Sequence, residues 1–455
     1  MTEEPPAPRP VVEPSYLDAI LPLVLLAVLI GSALSLYGLA ALGGPIPAAL
    51  VLCAMVTGVI ALKNGHDWEE VAASSRRGMS SIVTAIFILL AVGALIGTWN
   101  MAGTIPTLVY YGIQWIDPNY YYVSTAVICA ASSLSIGSSW TTAGTVGVGL
   151  VGVATLLGVS PAITAGAVIS GSYLGDKCSP LSETTVLSSQ LAGANLYVHI
   201  RNQAWTSVPA FLIAAAVFAV LGLTGEGDLP DEAAASADLN QLDRLFWIHP
   251  LNLLPLLALL AMSLKKSPSS LAIMISALFA GILASFTQPE VVQRFVAEPD
   301  LALPLVYVKG VWSAIATGFQ ANTGLADVDQ LLSRGGMQKM LGTIWLIIGA
   351  VTFGTLLQEF GLLGKLIDPL IARARSDGRL FATAAGTATG LNVVAADQYI
   401  ALVLPVKTFK GEFEQRGYEP QVISRVASDA GTVTSALVPW NSCGAYMAAV
   451  LGVPT

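Results

Sequence analysis

Charge is scarce in this 455-residue sequence: Asp, Glu, Lys and Arg together make up 11%, where a soluble domain carries about 25%. A chain so poor in charge cannot cover itself with a hydrated exterior, which excludes an ordinary soluble globule. Histidine is scarcer still, with three copies. The four cysteines (Cys53, Cys129, Cys178, Cys443) lie in or beside apolar segments without metal-ligand spacing, and read as small buried hydrophobes. No G-x-x-x-x-G-K-[ST] loop, H-E-x-x-H pair or G-x-S-x-G elbow occurs. Nucleotide-driven work and the commoner hydrolytic chemistries therefore lack their motifs, and the chain is not read as an enzyme. The net charge of −8 comes mostly from the ends and the middle, and no nucleic-acid partner is expected.

Apolar residues fill the space that charge leaves: 54% are hydrophobic and mean hydropathy is +0.70. Apolar runs recur from 17–39 to 430–453. A span needs roughly 20 apolar residues, and several runs are shorter, so about ten to thirteen membrane elements are expected, some of them half-helices. The fold class that follows is an all-α polytopic membrane protein. Residues 1–16, rich in Pro and Glu, read as a disordered tail, and the first apolar run lacks the basic flank and A-x-A site of a cleaved signal. A polar stretch, 224–246, sets six acidic residues against Arg244 and divides the chain into 17–223 and 247–455.

The two parts repeat. Arg76-Arg77-Gly78-Met79 has a counterpart in Arg334-Gly335-Gly336-Met337, and at that displacement 84–103 lies over 342–361. One residue further, Pro180 falls on Pro439, Asp176 on Ser435 and Ser182 on Asn441. Charge separates a parallel from an inverted repeat. The stretch 100–119 has no Lys or Arg, while the matching loop after Gly361 has Lys365, Arg373, Arg375 and Arg379. Cytoplasmic loops collect Lys and Arg, so equivalent loops are expected on opposite sides. The N-terminus and Lys63, Arg76, Arg77, Lys265 and Lys266 then lie inside and the acidic linker outside. Two inverted-topology repeats with broken helices and re-entrant hairpins are the sequence pattern of a secondary transporter, its site at the repeat interface. With no nucleotide motif, its energy comes from an ion gradient.

The richest break is 170–189, SGSYLGDKCSPLSETTVLSS, set between apolar runs. A carboxylate at the bilayer centre costs about 2.5–3.5 kcal/mol on insertion scales, and Pro180 removes a backbone donor. Broken backbone at that depth is tolerated inside protein or against a water-filled cavity. Three more interrupted segments occur at 132–147, 386–399 and 428–444. The acids Asp176, Glu183, Glu359, Asp397 and Asp429 are candidate ion carriers, with Asp176, Asp429 and Asp397 as the direct metal ligands. Ser179, Ser182, Thr184, Asn392, Thr432, Thr434, Ser435, Asn441 and Ser442 offer neutral oxygens of the kind hard cations take. Cation and proton compete for such oxygens, because a bound metal needs its ligand deprotonated.

Structural roles compete with these. Asp397 and Asp429 also read as helix caps or as partners of Lys407 and Arg425, Asp176 as a partner of Lys177, Glu359 as a loop residue, and Asn392 as an amide that satisfies a break. Glu183 follows Ser182 as in a helix start. His66, His199 and His249 read as interfacial, and Tyr120-Tyr121-Tyr122 as part of an aromatic belt.

GSYLGDKCSPLSETT followed by NLYVHIRNQAWTSVPA (195–210), and in the second half AADQYIALVLPVKTFKGEF (395–413) and SRVASDAGTVTSALVPWNSCGAYMAAVLGV (424–453), closely resemble the signatures of the NhaC-type sodium/proton antiporter family. The resemblance runs from about residue 15 to the end. It implies an ion-transporter fold of inverted repeats with a scaffold and a moving transport domain, no cofactor beyond the transported sodium ion, and a prokaryotic cell membrane. It gives weight to Asp176, Ser179, Pro180, Ser182, Asp397, Gln398, Asp429, Thr432, Pro439, Trp440 and Asn441. Glu183 stands where that family often has Asp, and relatives continue past the segment that ends here near Val453. The expected function is exchange of sodium for protons by alternating access, with a carboxylate or amino-acid transporter as the alternative. The expected partners are sodium, protons and the lipid bilayer, with a homodimer as the assembly to test.

Overall fold

Caps and prolines set where the helices begin. In a computed structural model that describes residues 10–224, 243–265, 267–321, 329 and 332–455, Ser15 opens α1 (Tyr16–Tyr37) with a reciprocal Ser15–Asp18 capping box. Pro45 starts α2 (Pro45–Lys63), and Asp67 caps α3 (Trp68–Met101) by accepting from the Glu70 N–H. Then follow α4 (Thr104–Trp115), α5 (Tyr121–Ile136), α6 (Ser139–Thr142), α7 (Val148–Leu156), α8 (Pro161–Cys178), α9 (Glu183–Ala192) and α10 (Leu196–Thr224). A π-turn, Ala143–Gly147, joins α6 to α7. The second half contains α11 (Leu254–Leu264), α12 (Ser269–Thr287), α13 (Pro289–Val296), α14 (Leu303–Ala316), α15 (Met337–Glu359), α16 (Leu362–Arg373), α17 (Asp377–Val394), α18 (Gln398–Gln415), α19 (Pro420–Ala427) and α20 (Ser442–Leu451). A π-turn and a 3-10 turn, Ser428–Thr432 and Val433–Leu437, continue α19.

The described residues form helices without strands, and six helices are long and apolar enough to cross a membrane: α1, α2, α3, α10, α12 and α15. In the most apolar window of each, 61% of α15 and 50% of α3 are buried, against 6% of α10. With α2, 56% buried, these two make up the centre, and α10 turns its sides outward, as a lipid-facing helix does. The expected tail and linker fall largely on 1–9 and 225–242, outside the described residues, as does Lys266. Residues 10–15 run extended, and the Val12 N–H donates to the Asn64 carbonyl at 2.9 Å.

Element bounds in the second half echo the first. The first helix of each broken segment ends before a left-handed residue, Gly137 (φ 79°) and Ala396 (φ 54°). Ser138 and Asp397 then cap the next helix, Ser182 and Asn441 cap α9 and α20, and Gly193 and Gly452 close them. The displacement is 259 throughout (397 − 138, 441 − 182, 452 − 193). The central helices α3 and α15, related by 258, run antiparallel: Gly78 faces Thr355, while Gly93 faces Gly336 and Met340.

Within each half the broken helices lie side by side and parallel. A Cβ at Gly171 would come within 2.2 Å of the Ala126 carbonyl, and one at Gly175 within 2.3 Å of the Ser133 backbone. The Gly171-x-x-x-Gly175 pair thus lets α8 rest directly on the α5 backbone, the small-residue contact that membrane helices use. This register brings Gly137 abreast of Leu181. In the second half the Ser442 N–H donates to the Ala396 carbonyl at 3.0 Å, which brings those two gaps abreast as well.

Candidate functional site

The gaps of both halves open onto one cavity of about 610 Å³, lined among others by Ser138, Ser139, Trp140, Asp176, Glu183 and Thr184 from the first half. Asp397, Gln398, Tyr399, Ser442 and Cys443 line it from the second. Asp176, in the last turn of α8, is 6% exposed. Ser139 donates to its Oδ2 at 2.7 Å and Ser182 to its Oδ1 at 2.6 Å. Thr184 Oγ1 lies 3.3 Å from the same Oδ1 and 2.9 Å from Ser182 Oγ. Thr185 donates to the Asp176 backbone carbonyl at 2.7 Å. Among the described residues the carboxylate is therefore held by hydroxyls alone, and a hydroxyl can turn its lone pair inward as readily as its proton.

Asp397 is 4% exposed and serves two roles. Its Oδ1 accepts the Ile400 N–H at 3.0 Å as the cap of α18, and its Oδ2 accepts from Ser442 at 3.3 Å. The half-sites correspond position by position. Ser138, Ser139 and Trp140 answer to Asp397, Gln398 and Tyr399, and Asp176 answers to Ser435. Ser435 touches Gln398 Oε1 at 3.3 Å, as Asp176 touches Ser139. Each half contributes one buried carboxylate, and the repeat-related position opposite it is a serine. Glu183 stands at the cavity wall with its Oε2 accepting from Tyr399 at 2.9 Å. Among the described residues no cluster of three His, Cys, Asp or Glu makes a metal centre. The donors here are oxygens suited to a hard ion that binds and leaves.

The other expected ligands divide. Ser179 donates to the Leu134 carbonyl at 2.9 Å and steadies the gap. Asn392 donates to the Gly431 carbonyl at 2.6 Å and to Thr434 at 2.8 Å, while Asn441 caps α20 and reaches Asn392 Oδ1 at 3.1 Å. Both amides satisfy broken backbone behind the cavity wall. Thr432 Oγ1 is buried without a hydrogen bond among the described residues. Asp429 is not on the cavity wall: it pairs with Lys177 and accepts from Gln203 Nε2 at 2.8 Å. Lys177 therefore belongs to Asp429 in the opposite half, not to the adjacent Asp176, because consecutive residues of α8 point apart. Glu359 is held by Arg77 at 2.5 Å across α3 and α15. His199, expected at an interface, is fully buried, its ring between Ser424 (2.6 Å) and Ser188 (3.4 Å).

Ser139, Trp140 and Tyr399 escaped the reading of single segments. The repeat register was the signal that would have found them, since each follows the capped start of a helix at matching positions.

A second cavity of about 600 Å³ lies along the same central helices. Ser81, Ile82, Thr84, Ala85 and Ile88 of α3 line the first cavity, and Lys339, Met340, Gly342, Thr343 and Leu346 of α15 line the second. Each pair is separated by 258 residues. Because α3 and α15 are antiparallel, these corresponding stretches run in opposite directions. Trp140, stacked on Tyr446 with ring centroids 4.0 Å apart, stands in the first cavity's wall, and Tyr446 donates to the Trp140 carbonyl at 2.7 Å.

The sequence profile of the Na+/H+ antiporter family matches residues 16–225 and 173–455. The Na(+)/H(+) antiporter NhaC of Alkalihalophilus pseudofirmus is 35% identical over 405 residues, 89% of this chain and 84% of that protein. The malate-2H(+)/Na(+)-lactate antiporter of Bacillus subtilis is 33% identical over 414 residues, 90% and 84% of the two chains. The arginine/ornithine antiporter ArcD of Halobacterium salinarum is 32% identical over 446 residues, 97% and 87%. Apolar spans, paired breaks and buried carboxylates thus accompany a match over nearly the whole length, and this multi-pass membrane protein belongs to the Na+/H+ antiporter family.

Proposed function

We propose that the protein exchanges sodium ions for protons across a prokaryotic cell membrane by alternating access, with Asp176 and Asp397 as the shared carriers. The observation that carries this reading is that one buried carboxylate from each half borders a single cavity, Asp176 held by three hydroxyls and Asp397 by the Ser442 hydroxyl and the Ile400 N–H. With no ion bound, Ser139, Ser182 and Thr184 point protons at Asp176. An arriving sodium ion turns those hydroxyls into additional ligands and displaces the acid proton, since one set of oxygens cannot hold both. Asp429, read from the sequence as a carrier, is assigned the different task of neutralising Lys177 next to the site.

Alternation is supported by the repeat. The two halves are proposed to be inverted relative to the membrane, with the first cavity opening to the inside and its counterpart to the outside. The antiparallel α3–α15 pair supports that arrangement, as does the contrast between the loops after Met101 and after Glu359 in Lys and Arg. The Trp140–Tyr446 stack, in the wall of the first cavity, is assigned the closing of the path between the two cavities. A carboxylate substrate would want a basic group at the cavity, and among the described residues no Lys, Arg or His lines it, while Lys177 is committed to Asp429.

The test is purified protein in liposomes with an entrapped pH dye. A sodium pulse outside should make the lumen more alkaline, because protons leave as sodium enters, and choline should not. Sodium pulses that leave lumenal pH unchanged at every starting pH would sink the proposal.

A further inference from the structure

The cavity is far larger than the ion proposed to pass through it. A water molecule takes about 30 Å³ of liquid, whereas this space is about 610 Å³, within the roughly 300–1,000 Å³ of pockets that bury small organic ligands. Its charge is one-sided: Asp176, Glu183 and Asp397 line it, and among the described residues no basic side chain does. Two aromatic rings at repeat-related positions, Trp140 and Tyr399, stand beside these acids. Tyr399 is 38% exposed, and its hydroxyl fixes Glu183 at 2.9 Å, so ring and carboxylate present themselves together. The helix starts at the gaps would by themselves attract anions. One first-turn N–H at each is already taken by Ser138, Ser182, Asp397 or Asn441, and the acids beside them oppose an anion. Carboxylates and aromatic faces without a competing cation form the surroundings that an alkylammonium group prefers.

We propose that the same cavity admits small aliphatic amines carrying one or two ammonium groups, in competition with sodium. This deepens the exchange reading and rests on its assignment of Asp176 and Asp397 as the cation ligands. Glu183, Trp140 and Tyr399 are the residues it adds, placed to hold the second ammonium group and the alkyl chain.

Two measurements test it on the full-length protein. In liposomes, 1,4-diaminobutane should raise the sodium concentration for half-maximal proton movement without changing the maximal rate, while 1,4-butanediol and succinate at equal concentration should not. In detergent, the diamine should raise the melting temperature, and Asp176→Asn with Asp397→Asn should abolish that rise. Tyr399→Leu should weaken the diamine relative to sodium by about 2- to 30-fold, the span of a cation–π contact. Sodium exchange that is intact but indifferent to the diamine, or inhibited without competition, overturns this inference and leaves the exchange reading standing. If sodium exchange itself is absent, the exchange reading fails, and the melting shift alone decides: a shift lost in the double variant upholds amine binding, and no shift ends it.

Discussion

Replacing Asp176 by Asn changes one atom's chemistry in a site whose surroundings can adapt. The amide oxygen still accepts from one of Ser139 and Ser182, and the other hydroxyl rotates to accept from the new N–H. Shape and packing are kept and a buried charge is removed, so the fold should stay within about 1 kcal/mol of the parent, the scale of one neutral hydrogen bond. Cation binding loses a charged ligand instead. A contact to a charged group is worth about 1.5–3 kcal/mol, which at 1.4 kcal/mol per decade makes sodium binding about 10- to 150-fold weaker. The variant also has no acid proton at position 176 to exchange. The assay is dye-reported proton movement in liposomes over a sodium titration, with a melting curve of the same preparation. A folded Asp176→Asn protein whose half-saturating sodium concentration lies within threefold of the parent would refute the assignment. A large loss of sodium affinity in Asp429→Asn combined with Lys177→Met, which leaves no stranded charge, would return the carrier role to Asp429.

Three further outcomes follow from the same geometry. Sodium competing with one proton should need about tenfold more sodium for half-saturation with each unit fall in pH in the acid range, and half-saturation that does not vary with pH there would remove the shared-ligand mechanism. Asp429→Asn strands Lys177, whose side chain is 6% exposed, and should lower stability by roughly 3 kcal/mol, the low end for a broken buried pair because Asp429 itself is 30% exposed; Lys177→Met combined with it should recover most of the melting temperature. Gly175→Ala drives a methyl to 2.3 Å from the Ser133 backbone and should cost roughly 1–3 kcal/mol or more by overpacking, seen as poor recovery from membranes, whereas Gly386→Ala, with nothing within 4 Å, should be harmless.

Much of the candidate site was legible because its signals are local. Gaps appeared in the sequence as polar runs with Pro180 or Pro439 amid apolar ones, and Ser182, Asp397 and Asn441 announce helix starts by the side chains that caps require. Asp176 and Asp397 were named for the same reason, as acids in such gaps. Ser179, Asn392 and Asn441 have the same residue types as cation ligands but spend their hydrogen bonds on stranded backbone. Composition cannot separate those two uses. His199 was misplaced because its partners, Ser188 and Ser424, come from distant segments.

Hydropathy, caps and an internal register are properties of neighbouring residues or of one chain laid over itself. The sequence alone therefore determined that this is a helical membrane protein, where its helices break and which stretches correspond. Which acids share a space depended on how α3 lies against α15 and how closely glycine lets α8 approach α5, contacts between segments far apart in the chain. That packing sent Lys177 to Asp429 and turned Asp176 toward the cavity that Asp397 also lines. Two adjacent residues on one helix thereby acquired different partners, a choice made by the direction of their side chains in three dimensions.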